Sequence, residues 1–225
     1  SQEDFLAEKW RLGDVQIKGD ARVQQSIRWN LFQLIQASAR AEGAGIGARG
    51  LTGQTYEGHY FWDTEIYVLP YLVHTTPRIA RNLLRFRHAM LDMARERARE
   101  VGEQGALFPW RTINGEEASA YYAAGTAQYH INADIVYALR KYAEATGDED
   151  FLFREGAEVL VETARLWRDL GFFAEGHDGR FSIVGVRALQ GPHQGAQKST
   201  STGLSCSRTR AVNSVSVRST SWAFS

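Results

Sequence analysis

The chain is short of the residues that cross-link, bind soft metals or span a membrane. Among its 225 residues there is one cysteine, Cys206. That excludes an intramolecular disulfide and any cysteine-built metal site, and it suits a reducing compartment, so the cytoplasm is the expected location. No apolar run approaches the roughly 20 residues that a membrane helix needs, and the N-terminus lacks the basic-then-apolar pattern of a secretory leader. No net charge is left over: 26 Lys and Arg face 26 Asp and Glu, which removes the electrostatic argument for nucleic acid or an anionic membrane as partner. Acid is missing from one whole region. No Asp or Glu follows Asp178, yet six Lys and Arg do, and so lopsided a distribution marks a boundary near that point.

What is present suffices for one core. The chain is 44% hydrophobic and has six tryptophans, enough for a single domain. Residues 1–19 carry Phe5, Trp10, Val15 and Ile17 among polar neighbours and are read as a connector packed on the adjoining domain. Asp20 is a candidate N-cap, after which Val23, Ile27, Leu31, Leu34 and Ile35 recur at helical spacing until Gly43 and Gly45. A glycine-rich loop runs to His59. From Asp63 a helix carries Ile66, Leu69 and Leu72, with Pro70 expected to kink or end it. Pro77 opens the next, with Ile79, Leu83, Phe86, Met90 and Met93 as its stripe to Gly102, both methionines as core filler, and Arg95 to Glu100 as a solvated face. A long helix is expected from Ala118 to Thr146, with Tyr122, Ile131, Ile135, Leu139 and Tyr142 on one side and Gly125 as an interruption. Another runs from Glu149 to Leu170, with Leu152, Val159, Leu160, Thr163, Leu166 and Trp167 inward. A turn at His177, Asp178 and Gly179 precedes a short strand, Phe181 to Val184. Helices joined by short and glycine-rich loops, with no βαβ alternation, predict an all-α domain of helix pairs.

The stretch that carries chemistry is Gly50 to Leu72. Phe61, Trp62, Asp63 and Glu65 fall where the glycine-paced loop becomes helix. An indole beside a carboxylate suits a sugar, because the flat ring covers the apolar C–H face of a pyranose while the carboxylate accepts hydrogen bonds from its hydroxyls. The same residues also fit a plain helix start, with Asp63 and Glu65 in a dipole-favoured first turn and Phe61 and Trp62 in the core.

Gly50, Leu51, Thr52, Gly53, Tyr56, Gly58, His59, Phe61, Trp62, Asp63, Thr64 and Glu65 together resemble the start of the catalytic domain of glycoside hydrolase family 65. That family holds maltose, trehalose and kojibiose phosphorylases and some acid trehalases. The resemblance implies an (α/α)6 barrel, of which the matched stretch, about Val15 to Val186, is roughly the first half: an incomplete barrel with an uncovered apolar flank. It makes residues 1–19 the connector that leaves an N-terminal β-sandwich and residues 20–186 the partial catalytic domain. It assigns Trp62 and Asp63 to the glucosyl unit of an α-linked glucose disaccharide. The loop from Gly102 to Glu117, with Phe108, Pro109, Trp110, Gly115 and Glu116, is similar to a family loop that reaches the active site. Trp110 is thereby a second sugar platform, and Glu117 either orients a substrate hydroxyl or begins a helix. His130, Asn132, Ala133, Asp134 and Ile135 also resemble a family segment; His130 is read as structural, and Asp134 as a bond to a neighbouring loop. Such phosphorylases invert the anomeric centre: a Glu protonates the glycosidic oxygen while inorganic phosphate, a co-substrate, attacks the opposite face. No cofactor or metal is implied, and a homodimer is one possibility for the intact protein.

After Val186 the resemblance is expected to stop. The family continues into Gly-Pro-Asp-Glu-Tyr, and its proton-donating Glu should fall near Gly191, whereas here Gly191 and Pro192 lead into His193 and Gln194. Residues 187–225 are rich in Ser, Thr, Arg and Gln, contain no acid, and are read as a disordered tail from a shifted reading frame or a damaged gene copy, with a natural basic tail as the alternative. The expectation is therefore an inactive fragment of a carbohydrate-active enzyme, with a noncatalytic helical interaction module as the alternative.

Overall fold

In this computed structural model the described residues are 1–38, 43–51, 53–119, 128–174 and 180–183. Helix α1 (Gln2–Gly13) begins on a capping box in which the Ser1 hydroxyl accepts from the Asp4 N–H and the Asp4 side chain reaches back. The segment read as a connector is thus mainly helix. It ends at Gly13, where the Tyr71 hydroxyl donates to the Gly13 carbonyl at 3.3 Å and leaves no room for a β-carbon. Helix α2 (Ala21–Ser38) starts where predicted, the Asp20 side chain accepting from the Arg22 N–H at 2.8 Å. Gln24 binds the strap between them twice, accepting from the Ile17 N–H and donating to the Val15 carbonyl, both at 2.9 Å. Arg28 pairs with Asp14 at 2.6 Å.

The core is built by α3 (Leu69–Thr75), α4 (Pro77–Ala89), α5 (Leu91–Glu100) and α6 (His130–Thr146). Helices α3, α4 and α6 touch one another. Leu69, Leu72, Val73, Ile79, Leu83, Leu84, Ile131, Ile135 and Leu139 interlock between them, each removed from water, a burial worth about 1.5–3 kcal/mol per side chain. The one-turn α7 (Glu149–Phe151) and α8 (Ala157–Leu170) add Phe151, Val159 and Leu166. Arg95 ties α5 to α8 through Glu158 at 2.7 Å and Glu162 at 3.1 Å, so the mixed-charge run is partly a helix-to-helix clamp. A hairpin, β1 (Gly171–Ala174) with β2 (Arg180–Ile183), comes after α8. Among the described residues the fold is all-α apart from this hairpin and one isolated bridge between Tyr60 and Thr112.

Several boundaries differ from the pattern-based expectation, each for a physical reason. Pro70 neither ends nor breaks its helix: Thr64–Val68 form a π turn in which the Leu69 N–H reaches the Thr64 carbonyl, and the wider turn leaves room for a residue without an N–H in the first turn of α3. The stripe from Pro77 divides at Met90, where the Met90 N–H tightens onto the Arg87 carbonyl. Met90 is buried but Met93 is 37% exposed, so one of the two methionines fills the core. Ala118 is not helical. Its N–H donates to the Arg111 carbonyl at 2.8 Å and that of Ser119 to Glu117 at 3.1 Å, which commits those donors to a loop, and α6 starts at His130. A second π turn, Leu152–Gly156, joins α7 to α8. On α2, Val23 is 49% exposed, so the first part of the predicted stripe faces water. Tyr122, Gly125, the turn at His177 to Gly179, Val184, Gly191 and the tail lie outside the described residues.

Candidate functional site

Two loops meet at the start of the π turn. The first, residues 43–59, closes with a short 3-10 turn, Thr55–Gly58, in which Tyr56 (φ 67°) and Glu57 (φ 52°) are left-handed without being glycine. Such residues cost about 1 kcal/mol or more each and persist only where neighbours hold them. Here Arg111 Nη2 binds Glu57 at 2.8 Å, and the Tyr56 ring meets Phe61 edge-on at 5.3 Å. The second loop, residues 102–117, is joined to the first by a two-way bridge: the Tyr60 N–H donates to the Thr112 carbonyl at 2.7 Å and Thr112 returns the bond at 3.2 Å.

The bridge brings the predicted aromatic platforms to one place. Phe61 meets Trp110 at 5.6 Å in a T-shaped contact, and Trp62 stands edge-on to His130 at 5.0 Å and tilted against Tyr67 at 6.0 Å. Trp62 and Trp110 are both half-buried, packed on the core with ring surface left in solvent. Asp63 is exposed, heads the π turn without capping it, and its carboxylate has no hydrogen-bond partner among the described residues.

Glu117 has a different situation. Its carboxylate accepts from the backbone N–H groups of Trp110 at 2.7 Å, Arg111 at 3.3 Å and Ser119 at 3.1 Å. It begins no helix; it shapes the loop that presents Trp110. Among the described residues Asp134 takes the Nδ1–H of His130 at 2.8 Å rather than a group of a neighbouring loop, while His130 Nε2 faces Gln128 at 2.8 Å. His130 is thus held rigidly on the edge of Trp62, which fits its structural assignment.

Beneath these residues lies a dry polar cluster that pattern reading did not resolve. Glu65, in the π turn, receives Arg87 Nε at 2.8 Å and Nη2 at 3.1 Å, and the Tyr60 hydroxyl donates to the same carboxylate at 2.6 Å. Arg87 also lies over the Tyr60 ring, 4.6 Å from its centre. Burial, reinforced by the Glu65 charge, pushes the Tyr60 phenol far above its ordinary range. Burial works against the Arg87 cation, but Glu65 and Tyr60 together outweigh it and the guanidinium is held charged more firmly than usual. Glu65 is thereby committed to Arg87 and Tyr60. Asn132 is the second missed residue: its Oδ1 accepts from the Phe108 N–H at 3.1 Å and its amide donates to the Ala106 carbonyl at 2.6 Å, fixing the second loop to α6. A signal existed for Arg87, which sits four residues from both Leu83 and Leu91 on an apolar stripe. No group of three His, Cys, Asp or Glu among the described residues is placed to hold a metal ion.

An exposed carboxylate next to one partly buried indole, with Phe61 linking to a second, can receive a polar ligand with apolar faces, and comparison with known proteins points the same way. Residues 28–195 match the glycosyl hydrolase family 65 central catalytic domain. The match runs past Val186, so the resemblance extends further than the motif reading placed it. The chain is 55% identical over 182 residues to an alpha,alpha-trehalose phosphorylase of Thermoanaerobacter brockii, covering 81% of this chain and 24% of that protein. It is 36% identical over 192 residues to a kojibiose phosphorylase of Halothermothrix orenii, covering 79% and 24%. A solved structure from the human microbiome, provisionally assigned as a kojibiose phosphorylase, superposes with a TM-score of 0.75 at 35% identity, over 82% of this chain and 25% of that one. The chain spans about a quarter of the length of these relatives. It belongs to glycosyl hydrolase family 65, as a segment of the central catalytic domain.

Proposed function

We propose that this segment supplies the glucosyl-binding part of an active site that cleaves α-linked glucose disaccharides by inverting phosphorolysis. The observation that carries the reading is Asp63: a solvent-facing carboxylate with no hydrogen-bond partner among the described residues, flanked by Trp62 and rigidly mounted at the mouth of two interlocked loops. Trp62 and Trp110 cover the apolar faces of the sugar, Asp63 accepts from its hydroxyls, and Glu117 acts by setting the loop that carries Trp110. In the full reaction the bond from C1 to the glycosidic oxygen breaks. The oxygen takes a proton from a general acid, and an oxygen of inorganic phosphate bonds C1 from the opposite face.

None of the described residues is placed as that acid, and the residues near Gly191 offer His193 and Gln194 where the family motif has Asp and Glu. The 225-residue chain is accordingly proposed to bind a glucosyl unit without turning it over. Titration calorimetry with trehalose, maltose and kojibiose tests this. Saturable binding lost in Asp63→Ala, with no phosphate consumed, supports it; phosphorolysis by this chain, or binding indifferent to Asp63, overturns it. A noncatalytic helical module is the second reading, favoured by Trp29, which is 60% exposed on α2. Sugar binding abolished by Asp63→Ala would reject it.

A further inference from the structure

We propose that Tyr60, Glu65 and Arg87 are the positioning residues of this sugar site, closing residues 60–65 into a ring whose apex carries Trp62 and Asp63. The inference rests on the reading of those two residues as the glucosyl subsite. Asp63 makes no hydrogen bond among the described residues, so no side-chain contact places it and what the fold sets is the position of its backbone. That backbone is held at both ends. At one end the Tyr60 main chain is bridged to Thr112, and at the other Glu65 sits inside the π turn. The Tyr60 hydroxyl then joins the two ends at 2.6 Å, and the Arg87 fork fastens the closed ring to α4 at 2.8 and 3.1 Å.

The choice of a charged pair is itself informative. The Arg87 and Glu65 side chains are 1% and 0% exposed, and apolar residues of the same volume would often stabilise such a place as well or better. What the pair and the phenol supply beyond packing is direction: a planar fork on a carboxylate admits one orientation, whereas leucine and methionine admit several. Sugar recognition needs that single orientation, because hydrogen bonds to hydroxyls weaken steeply when an acceptor is displaced.

The experiment is a titration of the 225-residue chain with methyl α-D-glucopyranoside. It is followed by the indole N–H signals in NMR, with Trp62 assigned through Trp62→Phe and thermal melts recorded in parallel. The double variant Glu65→Leu/Arg87→Met is expected to fold cooperatively, its melt lowered by the buried Tyr60 hydroxyl that loses its acceptor, yet to bind about tenfold or more weakly with a displaced Trp62 signal. Tyr60→Phe, which removes only the closing bond, is expected to fold cooperatively and to bind more weakly as well. Variants that bind within about twofold of wild type, with the Trp62 signal unmoved, would show the cluster to be structural only and overturn the proposal. If the double variant does not fold, Tyr60→Phe decides by the same criterion. A wild-type chain that does not bind, or an Asp63→Ala chain that binds equally well, overturns the subsite reading and this inference with it.

Discussion

Asn132 and Glu117 grip the second loop by its backbone from two sides, one at Ala106 and Phe108, the other at Trp110, Arg111 and Ser119. Asn132→Ala leaves a buried carbonyl and a buried N–H without partners, so a loss of about 2–4 kcal/mol is expected in urea denaturation. Glu117→Ala should cost less stability, since two of its three partners, Trp110 and Arg111, are only partly buried, and more affinity at the proposed sugar site, since Trp110 loses its anchor. Titration at single residues also sets an alkaline limit. Burial, then the bond to Asp148, raises the Tyr142 phenol to about 12, and burial displaces Tyr60 in the same direction. A raised folded-state value means the neutral phenol is favoured by folding. That stability is whole below the ordinary value near 10 and is lost as pH climbs towards and beyond 12. Melting temperatures recorded between pH 8 and 12 should therefore hold until about pH 10 and then fall. Tyr142→Phe should flatten part of the decline, and an unchanged profile would count against this assignment.

Elements were legible in the sequence in proportion to how far they obey a simple period. The stripes of α4, α6 and α8 and the cap of α2 at Asp20 follow from spacing and N-cap chemistry alone. The π turns could not, because a wide turn is a response to tertiary demands around Pro70 and Gly156, and local propensity does not encode it. Neither could the loop at Ala118 and Ser119, whose N–H groups go to the Arg111 carbonyl and to Glu117. In the site, Trp62, Asp63 and Trp110 were visible as residue types in a suggestive pattern, whereas Tyr60, Arg87 and Asn132 were not, since their roles exist only across chain-distant contacts. The loop between α5 and α6 shows the same dependence. Gly105 has φ +80° and lies so close to the Glu162 carbonyl of α8 that no β-carbon fits, whereas Gly102, at φ +84°, faces open space. Gly102→Ala should cost about 1 kcal/mol from backbone strain alone. Gly105→Ala should cost about 3 kcal/mol or more, because α8 must also move; equal losses would show that the contact carries no weight.

At the scale of the molecule, the helices form part of an (α/α)6 arrangement, and one side is bare. Val23 and Trp29 on α2 remain 49% and 60% exposed. Exposed large apolar groups on one element favour association. Sedimentation velocity is expected to show mass increasing with concentration, and Val23→Gln/Trp29→Gln to reduce it; a monodisperse wild-type monomer would contradict this. The bridge between Tyr60 and Thr112 has a consequence of another kind. It pairs residues roughly fifty positions apart, with three helices between them, and distant pairings form late because the chain must first surrender the entropy of closing the loop. The helices can assemble before the two loops that carry Trp62 and Trp110 are joined. During synthesis the proposed sugar site would then be the last part of this segment to take shape, emerging only after α4 and α5 have already folded against each other.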